Sequence, residues 1–435
     1  MKVGVPKETV EGERRIGLVP ESVEKLCGQG LEVRVESGAG RDYYVDDAYA
    51  EAGAEVVDSA DEVWAGSDLV AKVLPACDEE IERLDGSTVV VSFLQPVQDA
   101  ETVKALADAG ATAVSMDAIP RIARAQSMDA LSSMSSIGGY KSVLIGANAL
   151  GRYLPMMTTA AGTLKAANVL ILGAGVAGLQ AIATARRLGA EVTAFDIRPE
   201  VKEQIESLGA SFLEEEPEED GDGGSSGEEE TQGMEQAEEP QGGLSGAIAW
   251  LRDVFATDGA AEEDEAAEGT SQDEGSEDDE GEDTGGYARE QTEDDQERDR
   301  RMIREHLREV DVVVTTALVP GKPAPKLLTG EMVEAMRPGS VVVDLAAEAG
   351  GNCELTQPGE VVEHELVEIH GPSNLPSQMP IDASRLYSRN VVSVISHLTD
   401  DEGGLELDFD DEITDAICLS HDGEVRSEAA REALS

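Results

Sequence analysis

The sequence predicts an α/β protein of two doubly wound parallel-sheet domains with a cleft between them, plus a disordered acidic insertion. Three observations lead there. Short apolar runs alternate with helical stretches along most of the 435 residues, a glycine-rich turn joins one such run to a helix in mid-chain, and an acidic tract follows neither pattern. A chain of this length is expected to hold two to three domains, each large enough to bury a core.

The first series of strands is predicted at Val3–Val5, Glu32–Glu36, Asp68–Val73, Thr88–Leu94 and Ala111–Met116. Helical stretches fit between them, and this βαβα order gives a parallel sheet with helices on both faces. A helical linker is expected from Met134 to Tyr153. The second series runs Asn168–Leu172, Glu191–Asp196, Asp311–Leu318, Ser340–Leu345 and Val361–Ile369. The chain is expected to cross back near Gly371, so that Asn390–Leu398 and the tail rejoin the first domain. The expected boundaries are residues 1–135 with 375–435 for the first domain and 136–374 for the second, with the insertion 214–284 inside the latter.

The turn Gly173-Ala174-Gly175-Val176-Ala177-Gly178 closes the strand Asn168–Leu172 and opens an apolar helix, Leu179–Leu188. Asp196 follows at the end of the next strand, with Ile197 and Arg198 after it. Strand, turn, helix and acid in this register form a dinucleotide fingerprint. The glycines allow the tight turn, the approach of backbone to the pyrophosphate and the packing of helix on strand, while the helix N-terminus meets the phosphate charge. Asp196 is expected to take the adenosine ribose hydroxyls and to repel the extra phosphate of NADP, so the second, Rossmann-like domain reads as an NAD(H) binder.

The formal net charge is −58. Residues 214–284 hold 28 acidic side chains and one base, Arg252, among repeated Gly and Ser, which is disorder by composition. The remaining 364 residues still carry 63 acids against 32 bases. Such an excess suits molar salt, where the screening length falls to roughly 3 Å and self-repulsion is muted. It excludes nucleic acid as a partner, for want of a basic patch. Inside the tract, Leu244, Ile248, Leu251 and Phe255 fall at helical spacing and predict a short amphipathic helix.

Four cysteines without a CxxC pair suggest a reducing compartment, and His306, His364, His370, His397 and His421 show no ligand spacing, so no metal site is assigned. No signal peptide precedes the first strand, and no run approaches about 20 apolar residues. The chain reads as soluble, or peripheral to a membrane.

The run from Arg121 to Met134 is dense in polar groups. On a helix, Gln126, Asp129 and Ser133 would share a face, as would Asp129 and Ser132. An amide, a carboxylate, a hydroxyl and a guanidinium can grip a nicotinamide and its ribose. The same residues can equally be an ordinary helix start with Ser and Asp caps.

These residues resemble the NAD(H)-binding domain of the proton-translocating NAD(P) transhydrogenase alpha subunit. The resemblance runs through Pro120-Arg121-Ile-Ala-Arg-Ala-Gln126-Ser-Met-Asp129-Ala-Leu-Ser132, Gly139-Tyr140-Lys141, the fingerprint, Gly285-Gly-Tyr287, Thr315-Thr-Ala-Leu-Val-Pro-Gly-Lys-Pro-Ala-Pro325, Asp344-Leu-Ala-Ala-Glu348-Ala-Gly-Gly-Asn-Cys353 and Pro372-Ser-Asn-Leu-Pro. It covers nearly the whole chain outside the insertion. It implies that Arg121, Gln126, Asp129 and Ser132 surround the nicotinamide, and that Tyr287 lies on a mobile loop closing on the nucleotide. It also implies hydride exchange with NADP(H) on a partner, membrane-embedded subunits carrying the spans and the NADP(H) site, a homodimer, and a cytoplasmic place peripheral to the plasma membrane. The insertion directly upstream of Gly285 departs from the family, which has a shorter connection there.

The alternative is alanine dehydrogenase, which shares the fold and the opening Gly4-Val-Pro-Lys-Glu8, Glu13-Arg-Arg15 and Asp68-Leu-Val-Ala-Lys72. In that enzyme the positions matching Arg15 and Lys72 hold the oxo acid, and a histidine serves as acid/base where this chain has Gln95. An amide cannot take that role. A third reading is an NAD-sensing scaffold without a reaction, against which Arg121, Gln126, Asp129, Ser132 and Tyr287 speak.

Overall fold

The structure, a computed structural model, describes residues 1–41, 43–84, 86–214, 293–318, 321–400 and 402–435. Tyr287, the helical spacing from Leu244 to Phe255 and all of the acidic tract but Glu214 lie outside the described residues.

Two large sheets organise the chain. The parallel strands of the first are β1 (Lys2–Val5), β2 (Glu32–Glu36), β3 (Glu55–Val57), β4 (Leu69–Ala71), β5 (Val89–Ser92) and β6 (Thr112–Ser115). With β16 (Cys418–His421) and β17 (Glu424–Val425) from the C-terminal end they make eight strands in the order β17-β16-β6-β5-β4-β1-β2-β3. The second sheet holds β9 (Asn168–Leu172), β10 (Glu191–Phe195), β11 (Ser211–Phe212), β12 (Val312–Thr315), β13 (Val341–Asp344), β14 (Val361–His364) and β15 (Val367–His370). Its order is β11-β10-β9-β12-β13-β15-β14. The central strands are covered on both faces, which is why they are unbroken valine runs such as Val89–Val91 and Val312–Val314, all buried.

The predicted α/β class and parallel sheets are found, with differences at the edges. The single strand expected over Val361–Ile369 is a hairpin: Glu365 and Leu366 have φ of 49° and 66°, and β14 runs antiparallel on β15. Its turn carries no Gly or Asn, so the apolar pattern on either side reads as continuous. A short hairpin, β7 (Met157–Thr159) with β8 (Gly162–Leu164), went unforeseen because it is exposed throughout and has no buried face to impose a pattern.

A helix over Ala130–Ala149 joins the sheets, beginning and ending four residues before the expected linker. It packs on the helix Val176–Arg187 and against β12 and β13. Gly139 permits this, since a Cβ there would fall far inside contact with the Ala177 carbonyl. The chain returns through a helix over Pro380–His397, whose Ala383, Tyr387, Val391 and Val394 join one core with Val3, Val91 and Met128. Beyond it, β16 pairs antiparallel with β6, and β17 with β16. Among the described residues no helix is long and apolar enough to cross a membrane.

Candidate active site

The parallel strands of each sheet reverse their order once, between β1 and β4 in the first and between β9 and β12 in the second. Crevices form at such points, beyond the strand C-termini, because the connections leave in opposite directions. The two crevices differ in kind.

At the second, β9 ends in Gly173, whose φ of 102° turns the chain into the helix Val176–Arg187. Gly175 is the N-cap, and a Cβ on it would meet no atom within 4 Å. Gly175 itself is exposed, and the amides of the first helical turn have no partner within the helix, as a pyrophosphate site requires. Gly178 lies against the Gly173 carbonyl, and Thr316 Oγ1, just past β12, donates to that carbonyl at 3.1 Å. Val176 and Ala177 are half-buried beside them. The residues fit a dinucleotide.

Asp196 stands at the end of β10, but it is not an open carboxylate. Its Oδ2 accepts from Ala174 N–H at 2.7 Å and Arg198 Nη2 at 3.0 Å, and its Oδ1 accepts from Arg198 N–H at 3.0 Å and Nε at 2.9 Å. All four lone-pair sites are engaged. Burial raises its pKa, but these donors outweigh burial and leave it lowered. The ribose corner carries an ion pair rather than a bare negative charge. Ile197 is exposed alongside.

The polar run from Arg121 is not one helix. Ala123–Met128 forms a 3-10 turn, and Asp129 breaks it as N-cap of the helix Ala130–Ala149, with ψ of 86°. Gln126 and Asp129 therefore do not share a helical face. Asp129 accepts from Ser132 N–H at 2.8 Å and from Ser132 Oγ at 2.6 Å, so the capping role is real. Arg121, just before the turn, and Gln126, on it, are exposed. Ser133 Oγ turns back to the Asp129 carbonyl at 3.2 Å.

At the first crevice the charged side chains are buried and paired with one another. Arg15 Nε and Nη2 donate to Glu13 at 2.8 and 2.6 Å, and Lys72 is fully buried against Glu80. Glu8 accepts from Val73 N–H at 2.6 Å, and Tyr387 Oη donates to the Lys72 carbonyl at 2.6 Å. Gln95, just past β5, has a φ of 47° and is held by Asp117, which accepts its backbone N–H at 2.7 Å. Burial raises the Glu13 carboxyl, but the Arg15 fork and Ser377 overcome it and bring it to about 2. For Glu8 burial prevails over Lys72 and the Val73 amide, and its carboxyl is pushed up to about 7.

A titration follows. The native Glu8 carboxyl binds its proton more tightly than the ordinary value of 4.5, so the folded state holds the extra proton between 4.5 and about 7. Raising pH through that window removes it and lowers stability, by about 3 kcal/mol at most. Urea denaturation of wild type and Glu8→Gln should show the wild type losing ground to the variant between about pH 5 and pH 8. Parallel profiles would mean that Glu8 is already ionised at the acid end.

Among the described residues no cluster of His, Cys, Asp or Glu is arranged to hold a metal. A cavity of about 670 Å³ lies at the opposite edge of the second sheet, lined by Arg152, Asp311, Arg337 and Ser340 at the starts of β12 and β13. It faces strand N-termini, away from both crevices, and is not the nucleotide site.

Comparison with known proteins agrees with this geometry. Residues 4–138 match the N-terminal domain of the alanine dehydrogenase/PNT family and residues 142–428 its C-terminal domain. The chain is 40% identical over 428 residues to the NAD(P) transhydrogenase subunit alpha of Cereibacter sphaeroides, covering 98% of this chain and 71% of the relative. It is 38% identical over 432 residues to an NAD(P) transhydrogenase subunit alpha chain of Rhodospirillum rubrum, covering 98% and 97%. The crystal structure of transhydrogenase from Sinorhizobium meliloti superposes with a TM-score of 0.76 at 36% identity, covering 98% of this chain and 100% of that one. An L-alanine dehydrogenase structure gives 0.72 at 24% identity and shares the fold. The chain therefore belongs to the alanine dehydrogenase/PNT family and, within it, to the NAD(P) transhydrogenase alpha subunits.

Proposed function

We propose that this chain binds NAD(H) and exchanges hydride directly with NADP(H) held on a partner subunit, as the alpha component of a proton-translocating complex. The observation that carries this reading is the contrast between the crevices. The second offers a dinucleotide cradle, while the first has Arg15 and Lys72 in internal pairs and Gln95 where an oxo-acid enzyme needs an acid/base. Reduction of an imine requires a group that delivers a proton, and an amide cannot do so near neutral pH.

Bound NAD(H) supplies the carbon that gives or takes the hydride, and exchange with NADP(H) balances without any proton from the protein. The residues then have only to bind, orient and exclude water. The helix amides after Gly175 hold the pyrophosphate, and Ile197 with the Asp196–Arg198 pair lines the adenosine end, where Asp196 takes the ribose hydroxyls as Arg198 gives way. Arg121 and Gln126 present the guanidinium and amide that orient the nicotinamide, beside the Asp129–Ser132 pair. The NADP(H) site and the membrane spans belong to partner subunits, which hold this chain at the cytoplasmic face of the plasma membrane. The chain pairs with a second copy; the exposed Met156, Met157 and Leu164 on and beside the β7–β8 hairpin support this, since a lone hairpin gains stability by being covered.

The purified chain in molar potassium chloride, added to membranes lacking it, should restore NADPH-dependent reduction of an NAD analogue, bind NADH more tightly than NADPH, and sediment as a dimer. Exchange by the chain alone would refute the partner requirement. NADH oxidation by pyruvate and ammonium would make it an amino-acid dehydrogenase, and binding without restored exchange would favour a sensor.

A further inference from the structure

The 3-10 turn Ala123–Met128 is bonded to the chain at both of its ends. Ala125 N–H donates to the Ile122 carbonyl at 3.0 Å and Asp129 N–H to the Gln126 carbonyl at 3.3 Å. Ala125 and Met128 are buried in the core that includes Val391 and Val394 of the return helix, so the turn rests on that helix through its apolar side. A polar bond also ties the two. Asn390 Nδ2, on the same helix, donates to the Ser127 carbonyl at 2.8 Å across 263 residues of sequence. The reverse amide orientation would set oxygen against oxygen, so chemistry fixes the donor.

Asn390 is 7% exposed, and its Oδ1 is buried without a hydrogen-bond partner. Burying an amide with one end unsatisfied is costly. An apolar side chain would serve packing better at that position, so the amide's use lies in the bond it makes. The bonded carbonyl sits between Gln126 and the Asp129 cap, so it sets the angle at which the turn leaves the helix start. A second tie comes from the same C-terminal segment: Arg124 Nη1 donates to Asp411 at 2.6 Å, and Asp411 also caps the helix Glu412–Ile417.

We infer that Asn390 is a positioning residue for hydride transfer, holding the Ser127 carbonyl so that the turn presents Arg121 and Gln126 at one fixed place. This rests on the reading of that turn as the nicotinamide site. Hydride transfer falls steeply with distance and alignment, and a displacement of about 1 Å can cost on the order of 100-fold. The adenosine end, read at Asp196 to Arg198 at the end of β10, is expected to bind independently of the turn. Loss of the bond therefore acts on turnover rather than on nucleotide affinity.

The test uses the chain restored to its membranes, with Asn390→Ala and the near-isosteric Asn390→Leu, which packs but cannot donate. In both variants exchange kcat should fall about 10- to 100-fold, with KM for NADH changing less than about threefold. AMP, which lacks the nicotinamide, should bind as in wild type, while the emission of bound NADH, which arises in the dihydronicotinamide ring, should shift. Turnover of Asn390→Leu within about threefold of wild type overturns the inference. So does joint loss of AMP affinity and thermal stability in both variants, which would make the bond merely structural. Gln126→Ala in the same assay separates the two levels: if it leaves exchange intact, the reading of the turn fails and this inference with it. If it abolishes exchange while Asn390→Leu does not, only the role of Asn390 is lost.

Discussion

Replacing Gly178 with alanine should abolish NADH binding in the accessible range, lowering affinity at least about 100-fold, and should destabilise the chain by about 2–4 kcal/mol. The added Cβ would fall far inside contact with the Gly173 carbonyl, with Thr316 Oγ1 beside that carbonyl and 3.2 Å away. The first obstacle is backbone and the second is bonded to that same backbone, so neither can swing away as a flexible side chain would. The helix Val176–Arg187 must back off from β9, taking its N-terminal amides with it. Equilibrium binding of NADH, followed by fluorescence, together with urea denaturation decides the matter. Gly175→Ala is the control, because its Cβ meets nothing within 4 Å. It should leave stability nearly unchanged and weaken only nucleotide binding. Should Gly178→Ala bind NADH within tenfold of wild type, the cradle has been misassigned.

The second large effect is expected at Asp344, at the end of β13. Its side chain is fully buried and accepts four hydrogen bonds, from Thr315 Oγ1 at 2.8 Å, Ala346 N–H at 3.0 Å, Cys353 N–H at 3.0 Å and Thr356 Oγ1 at 2.7 Å. It thus joins the end of β12 to the loop that follows β13. Asn352, in that loop, continues the network, accepting from Ala317 N–H at 3.1 Å and donating to the Ala317 and Pro325 carbonyls. Asp344→Ala strands all four donors in the interior and should cost about 3–5 kcal/mol. Asp344→Asn keeps the shape but turns an NH2 toward groups that can only donate or would have to reorient, and about 2 kcal/mol is expected. Because Thr316 braces Gly173, loosening β12 should also weaken NADH binding. A shift below 1 kcal/mol for both variants in urea denaturation would show that water replaces the carboxylate without loss.

Much of this site was legible in the amino-acid sequence because its determinants are local. The fingerprint from Asn168 to Asp196 is read from the apolar content of one strand, the sterics of three glycines and the register of one acid, all within a single βαβ unit. The Asp129–Ser132 cap is equally local, with both groups inside one helical turn. The central strands were legible because burial on both faces demands continuous valine. Where burial makes no demand, as in the exposed β7–β8 hairpin, the pattern was silent, and where a turn lacks glycine or asparagine, as at Glu365 and Leu366, two strands read as one.

Composition and spacing by themselves determined the α/β class, the two nucleotide-fold series and the place of the glycine cradle, and the resemblance to alanine dehydrogenase set Gln95 where that enzyme has its acid/base. Tertiary structure alone decided that Arg15 and Lys72 are spent on Glu13 and Glu80, that Glu8 is buried beside them, and that Asn390 reaches back to Ser127. It also turned the polar run at Gln126 from a helical face into a turn capped by Asp129. The physical reason is range. Propensity and periodicity report which face of one element is apolar, over a few residues. Which charge meets which carboxylate across a crevice depends on strand order and on how far helices approach, and these are settled only when the whole chain packs.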